Sequence, residues 1–192
     1  MSGLPGAAAV ILAAGASRRL GTSKQNLLLG GETLVERALR IAQEAGLSPV
    51  IVVLRPEGDL GHSLQERGAL VVLNDRADEG MASSIRLGVN VAGMLKANGA
   101  VLMTCDQVAL TPKHLRALVS DPERVTGSGY AGKIGIPAYF PTKSFPELLA
   151  LRGDTGAREL LCGAASVADE SLALDIDARE DFDHAIKLLE RT

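Results

Sequence analysis

The stretch Ala8-Ala9-Val10-Ile11-Leu12-Ala13-Ala14-Gly15-Ala16-Ser17-Arg18-Arg19-Leu20-Gly21-Thr22-Ser23-Lys24-Gln25 decides how this chain is read. An apolar run, with β-branched Val10 and Ile11 at its centre, breaks into small residues and then into two arginines and a lysine. A short run without a polar position is the pattern of a parallel strand buried on both faces. Beyond it, Gly15 with the small neighbours Ala14, Ala16 and Ser17 lets a ligand come close to the backbone. Backbone N–H groups in such a turn face an anion well, and Arg18 and Lys24 add fixed positive charge. Two readings follow: a loop that grips a nucleoside triphosphate, and an ordinary tight strand-to-helix turn with solvated basic residues. The spacing is neither Gly-x-x-x-x-Gly-Lys-Ser/Thr nor Gly-x-Gly-x-x-Gly, which excludes the P-loop and the dinucleotide fingerprint.

Composition narrows the class. At 192 residues the chain is expected to form one domain, spanning 1–192, with a sizeable core. Hydrophobic residues at 46% and charged residues at 22% fit a soluble globular protein. Aromatics make up only 3%, with no Trp, which argues against a base-stacking platform for single-stranded nucleic acid. The net charge of -3 leaves no broad basic footprint, so no nucleic-acid partner is expected. Cys105 and Cys162 form no Cys-x-x-Cys pair, which disfavours a zinc site and a disulfide framework. No apolar run approaches the roughly 18 residues that span a bilayer, and the first residues lack a signal-peptide pattern. The expectation is a cytoplasmic protein with no membrane contact.

Read in order, the chain alternates strand and helix. Strands are expected at 7–14, 50–54, 69–73 and 99–104, with helices at 33–45, near 62–67 and from about Met81. Thr33 and Glu36 make a capping box, and Gly46 is a natural stop. The alternation argues for a mostly parallel sheet with helices on both faces, a Rossmann-like three-layer α/β sandwich. The segment Gly80-Met81-Ala82-Ser83-Ser84 opens a helix, and its glycine and hydroxyls suit either a ribose or phosphate or simple N-capping. The strand at 99–104 delivers Cys105-Asp106-Gln107 to its carboxyl end, where ligands of open α/β sheets sit. Asp106 is a good hard-oxygen ligand for Mg²⁺, and Thr111, directly before Pro112, is the better cap for the next helix. Tyr130 and 136–140 read as strands around a turn, and 145–151 as a helix. In Arg152-Gly153-Asp154-Thr155-Gly156-Ala157-Arg158, the acid and the arginine suit either an acceptor phosphate or a loop-fixing ion pair. A strand is expected at 172–177 and a closing helix at 181–189; the Asp175, Asp177 and Asp181 run also suits a solvated acidic edge.

These motifs together resemble the MobA-like NTP transferase family, most closely its molybdenum cofactor cytidylyltransferases. The resemblance rests on Leu12-Ala13-Ala14-Gly15 through Lys24-Gln25, on Gly80-Met81 with Ser84, on Cys105-Asp106-Gln107 with Leu110-Thr111-Pro112, on Gly153-Asp154 with Ala157-Arg158, and on Asp177. It implies the nucleotide-diphospho-sugar transferase type of fold and a Mg²⁺-dependent nucleotidyltransferase. By resemblance, Leu12, Ala13, Ala14 and Gly15 hold the base and ribose beside Gly80, Ser83 and Ser84. Arg18 and Lys24 neutralise the triphosphate, and Asp106 and Asp177 hold Mg²⁺. The acceptor lies toward Gly135, Pro137, Asp154 and Arg158. Ala13-Ala14-Gly15 resembles the cytidylyl members more than the guanylyl members, which tend to Ala-Gly-Gly, and this favours CTP. The acceptor implied is molybdopterin, with a molybdenum hydroxylase as a partner. Ile136 stands where these members usually carry His, which keeps a sugar phosphate or other acceptor open. A non-catalytic carrier of molybdenum cofactor is a further alternative, disfavoured by the joint presence of Arg18, Lys24, Asp106 and Asp177.

Overall fold

The structure is a computed structural model that describes residues 6–15 and 24–174. In chain order its elements are β1 (Ala7–Leu12), β2 (Leu28–Leu29), β3 (Glu32–Thr33), α1 (Leu34–Glu44), β4 (Val50–Leu54), α2 (Leu60–Glu66), β5 (Leu70–Leu73) and α3 (Met81–Met94). Then come β6 (Gly99–Thr104), α4 (Pro112–Leu118), β7 (Thr126–Tyr130), β8 (Lys133–Pro141), α5 (Phe145–Ala150) and β9 (Ala165–Ala168). Seven strands form one sheet in the order β5-β4-β1-β6-β8-β7-β9. β1 pairs in parallel with β4 and β6, and β4 with β5. β8 runs antiparallel to both β6 and β7, and β7 is parallel to β9. The sheet is therefore mostly parallel, with β8 as its reversed strand.

The three layers follow from strict alternation in strands that are apolar on both faces. Ala7, Ala9 and Ile11 of β1 point into a core shared with Leu34 and Leu39 of α1 and Leu115 of α4. Ala8, Val10 and Leu12 point the other way, into a core shared with Ile85 and Val89 of α3 and Leu148 of α5. β4 and β6 divide in the same manner: Val52 and Met103 enter the first core, Ile51 and Leu102 the second. Gly88 lets α3 lie close against the sheet, since a Cβ there would collide with Val10 Cγ1.

Local expectations are met at several ends. Thr33 caps α1 in a full capping box with Glu36, and Gly46 follows at φ 84°. Thr111 accepts from the His114 N–H at the start of α4, with Pro112 directly after it. Other expectations are corrected. β1 ends at Leu12 rather than at 14, although Ala13 still donates its N–H to Val53 O at 3.0 Å. The strand expected from 172 is, over its described part, a 3₁₀ turn, Glu170–Ala173, whose Leu172 is fully buried. Its apolar pattern plugs the first core instead of extending the sheet, and Asp169 caps it by accepting from the Ser171 N–H. Residues 175–177 and the helix expected at 181–189 lie outside the described residues. The sequence reading missed β9 and the small β2–β3 hairpin.

A buried polar chain ties α4 to the two strands beside it. His114, 5% exposed, lies 2.7 Å through Nε2 from Ser128 Oγ of β7, which donates to Pro137 O of β8 at 2.6 Å. Because the serine proton is committed to Pro137, Nε2 carries the imidazole proton. Nδ1 stands 3.6 Å from Asp169 Oδ2, too far for a hydrogen bond. Burial lowers the His114 pKa below its ordinary value, and the Asp169 carboxylate opposes this more weakly.

Two outcomes are expected. Gly88→Ala forces α3 off β1 and destabilises by about 1–3 kcal/mol despite alanine's better helix propensity, read as a lowered urea midpoint. For His114, the unfolded chain binds the proton more readily than the folded one. The stabilisation from neutral His114 is complete above about pH 6.5 and is lost as the pH falls below that value. Urea midpoints between pH 7.5 and 5 should therefore fall less steeply in His114→Gln, which retains a donor for Ser128; equal slopes would show that His114 does not control this range.

Candidate active site

Parallel β1 and β6 end side by side, Leu12 in register with Thr104, so the segments after them leave the same edge of the sheet as neighbours. The first is Ala13-Ala14-Gly15. Ala13 and Ala14 are buried, and Gly15 is the exposed member of the three. Ala14 O accepts from Arg55 Nε at 2.9 Å, and Arg55 Nη2 reaches Asp78 Oδ1 at 2.9 Å. Arg55 follows β4 directly, at the same carboxyl edge, and thus braces the glycine turn. Its position directly after the expected strand at 50–54 was the signal available in the sequence.

Asp106 lies on the second segment, two residues past β6, and Lys24 opens a short 3₁₀ turn, Lys24–Asn26. Although 82 positions separate them in sequence, Lys24 Nζ is 3.1 Å from Asp106 Oδ2. Their side chains are only 17% and 20% exposed, so this pair is partly shielded from solvent. The two residues expected to meet a triphosphate and a cation are therefore brought together. Among the described residues no cluster of three His, Cys, Asp or Glu side chains is arranged to hold a metal. One carboxylate fits Mg²⁺ nonetheless, because that ion usually takes one or two carboxylates and completes its octahedron with substrate phosphates and water. Arg18 and Asp177 lie outside the described residues.

The flanking groups support this edge without competing for its chemistry. Burial, with the Asp106 carboxylate adding to it, pushes the Cys105 thiol up to about 12, which removes it as a nucleophile at neutral pH. Arg37 of α1 donates to Val108 O at 3.1 Å and so fixes the loop that carries Asp106. This arginine was also missed; it comes from the exposed side of a helical pattern, where charge reads as ordinary solvation.

Ser83 and Ser84 sit in the first turn of α3 but are buried. Both hydroxyls accept from Asn74 Nδ2 at 2.9 Å, and Ser83 Oγ donates to Gly80 O at 2.8 Å. They therefore anchor Asn74, at the end of β5, to the helix start. Gly80, at φ 102°, is a contact point: a Cβ there would strike Gly153 O, and Ala82 N donates to that same carbonyl at 3.1 Å. The 153–156 turn is thus docked on the α3 N-terminus. Asp154 and Arg158 are both exposed. A cleft of about 350 Å³ between the end of β5 and α3, lined by Asn74, Arg76, Ser83, Arg86 and Asn90 among others, includes neither Lys24 nor Asp106.

Gly135 and Pro137 lie on β8, adjacent to β6. Between them, Ile136 O accepts from Tyr130 OH at 2.8 Å and from Gln107 Nε2 at 3.0 Å. Of the expected acceptor residues, Gly135 and Pro137 are tied to the Asp106 segment through Gln107, whereas Asp154 is tied to α3. Among the described residues no helix is long and apolar enough to cross a membrane.

Comparison with known proteins adds to this geometry. Purine catabolism protein PucB of Bacillus subtilis is 38% identical, covering 91% of this chain and 93% of its own. A probable molybdenum cofactor guanylyltransferase of Opitutus terrae is 31% identical over 54% of this chain and 49% of its own. Among solved structures, a nucleotidyl transferase from Methanothermobacter thermautotroptrophicus superposes with a TM-score of 0.82 at 25% identity, covering 96% of this chain and 98% of that one. A manganese complex of Rv0371C from Mycobacterium tuberculosis superposes with a TM-score of 0.70 at 26% identity, covering 94% and 98%. The MobA-like NTP transferase domain matches residues 9–168. Because that match runs from inside β1 to the last residue of β9, and so takes in both segments of the site, the chain belongs to the MobA-like NTP transferase family.

Proposed function

We propose that this nucleotidyltransferase moves a cytidylyl group from CTP to the phosphate of a small acceptor, molybdopterin first among them, and releases pyrophosphate. The observation that carries the reading is the Lys24–Asp106 pair at the shared edge of β1 and β6. A partly shielded lysine facing a carboxylate is the arrangement that a triphosphate and its cation would divide between them, the phosphate taking the ammonium and the cation the carboxylate. In this reading Leu12 to Gly15 line the base and ribose, with Gly80, Ser83 and Ser84 shaping the far wall. Lys24 and Arg18 neutralise the phosphates. Asp106 and Asp177 would hold Mg²⁺, which supplies charge neutralisation at the α-phosphate and at the leaving group. An acceptor phosphate oxygen, placed by the Gly135–Pro137 side and by Asp154 and Arg158, forms the new bond to the α-phosphorus. The bond from the α-phosphorus to its bridging oxygen breaks, and pyrophosphate carries the electron pair away. A molybdenum hydroxylase is the proposed recipient of the product.

GTP is the second reading, favoured by the similarity to the probable molybdenum cofactor guanylyltransferase of Opitutus terrae. Ala14, where guanylyl members tend to carry Gly, favours CTP instead. Pyrophosphate release from Mg·CTP and from Mg·GTP, with molybdopterin as acceptor, separates them. CTP should be used, and GTP used poorly. Lys24→Ala should lower turnover on the order of 10²-fold, as loss of one preorganised charge commonly does, and Asp106→Asn should lower it at least as much while weakening CTP binding less. Near-normal turnover in Asp106→Asn would remove the assignment of Asp106.

A further inference from the structure

We propose that Gln107 is a positioning residue that fixes where the acceptor stands relative to Asp106; this rests on the reading of residues 135–137 as the acceptor side. Gln107 directly follows Asp106 and is 5% exposed. Its Nε2 donates to Ile136 O at 3.0 Å and faces Leu172 O at 3.5 Å. Both neighbours are carbonyls, so the amide has one satisfying orientation, and that orientation leaves Oε1 buried with no hydrogen-bond partner among the described residues. A buried polar atom without a partner costs stability. The fold does not require this cost. Ile136 O is already satisfied by Tyr130 OH at 2.8 Å, and the contact to Leu172 O lies at the outer limit of a hydrogen bond.

What the amide does provide is a link between the Asp106 segment and β8, with a weaker contact to a third element. One side chain joins the segment after β6, which carries Asp106, to β8, which carries Gly135 and Pro137, and only touches the 3₁₀ turn Glu170–Ala173. The next carbonyl of β8, Pro137 O, is pinned independently by Ser128, itself held by His114. Consecutive carbonyls of the acceptor segment are thus fixed from two directions, and Gln107 is the one that reports the position of Asp106. Nucleotidyl transfer depends on a near in-line placement of the attacking oxygen, and small displacements are costly. An amide that weakens the core yet locks this distance is a functional feature of the chain, of the kind in which a local rule is broken at a site.

The test replaces Gln107 with Met, which keeps the volume and removes the amide, and with Leu as a second variant. Pyrophosphate release is followed with Mg·CTP and molybdopterin, each varied in turn, together with urea midpoints. The inference predicts midpoints equal to or above wild type, KM for CTP within about twofold, and kcat/KM for molybdopterin reduced at least about tenfold. A loss of midpoint with unchanged molybdopterin kinetics, or a rise in KM for CTP alone, would overturn it and leave Gln107 a packing residue or a nucleotide contact. Wild-type protein that releases no pyrophosphate from either nucleotide overturns the underlying reading, and this inference with it; wild-type turnover with indifferent Gln107 variants overturns only the inference.

Discussion

β1 has no polar face. All six of its residues are buried, alternate members facing opposite cores, so helices must cover both sides of the sheet and no ligand can be bound along the length of the strand. Polar chemistry is confined to the strand ends. At the carboxyl edge four neighbouring strands deliver the glycine turn after β1, Arg55 after β4, Asn74 after β5 and Asp106 after β6. That confinement, more than any single residue, places the site, and it is the usual consequence of a doubly covered parallel sheet.

At that edge, charge is arranged in two tiers. Lys24 and Asp106 satisfy each other across a partly shielded gap, and both remain accessible enough to exchange partners. Behind them Arg55 and Arg37 are committed to backbone carbonyls, holding the loops whose positions the outer pair depends on. Asn74 does the same on the α3 side by organising two serine hydroxyls. The inner tier gives rigidity, and the outer tier is the pair to which we assign the chemistry, an arrangement suited to a reaction in which the protein mainly positions and neutralises phosphates.

Much of this was legible because it is local. The capping box at Thr33 and Glu36, the Thr111-Pro112 helix start and the bare apolar strands are each written within a few residues. The acid at the end of β6 follows from one strand and one rule about strand ends. What was not legible is set by contacts far apart in sequence. Leu172 reads as part of a strand because its neighbours alternate, but it plugs the core from a 3₁₀ turn. Ser83 and Ser84 suit either a ligand or simple N-capping from their place at a helix start, and the hydrogen bonds that both accept from Asn74, across the chain, are not visible in that spacing. Gly80 suits either a ligand or simple N-capping from its place at a helix start, and its requirement comes from the carbonyl of Gly153 pressed against it, a contact no spacing rule reveals. Arg55 and Arg37 look like surface charge until the loops they brace are in place.

The central claim is that the Lys24–Asp106 pair is the seat of the nucleotide's phosphates and cation. A crystal structure with Mg²⁺ and a non-hydrolysable CTP analogue tests it most directly. The account predicts that the pair opens, with Lys24 Nζ on a phosphate oxygen and an Asp106 carboxylate oxygen about 2.0–2.1 Å from the cation. A structure in which the nucleotide binds elsewhere while Lys24 and Asp106 remain paired would contradict it.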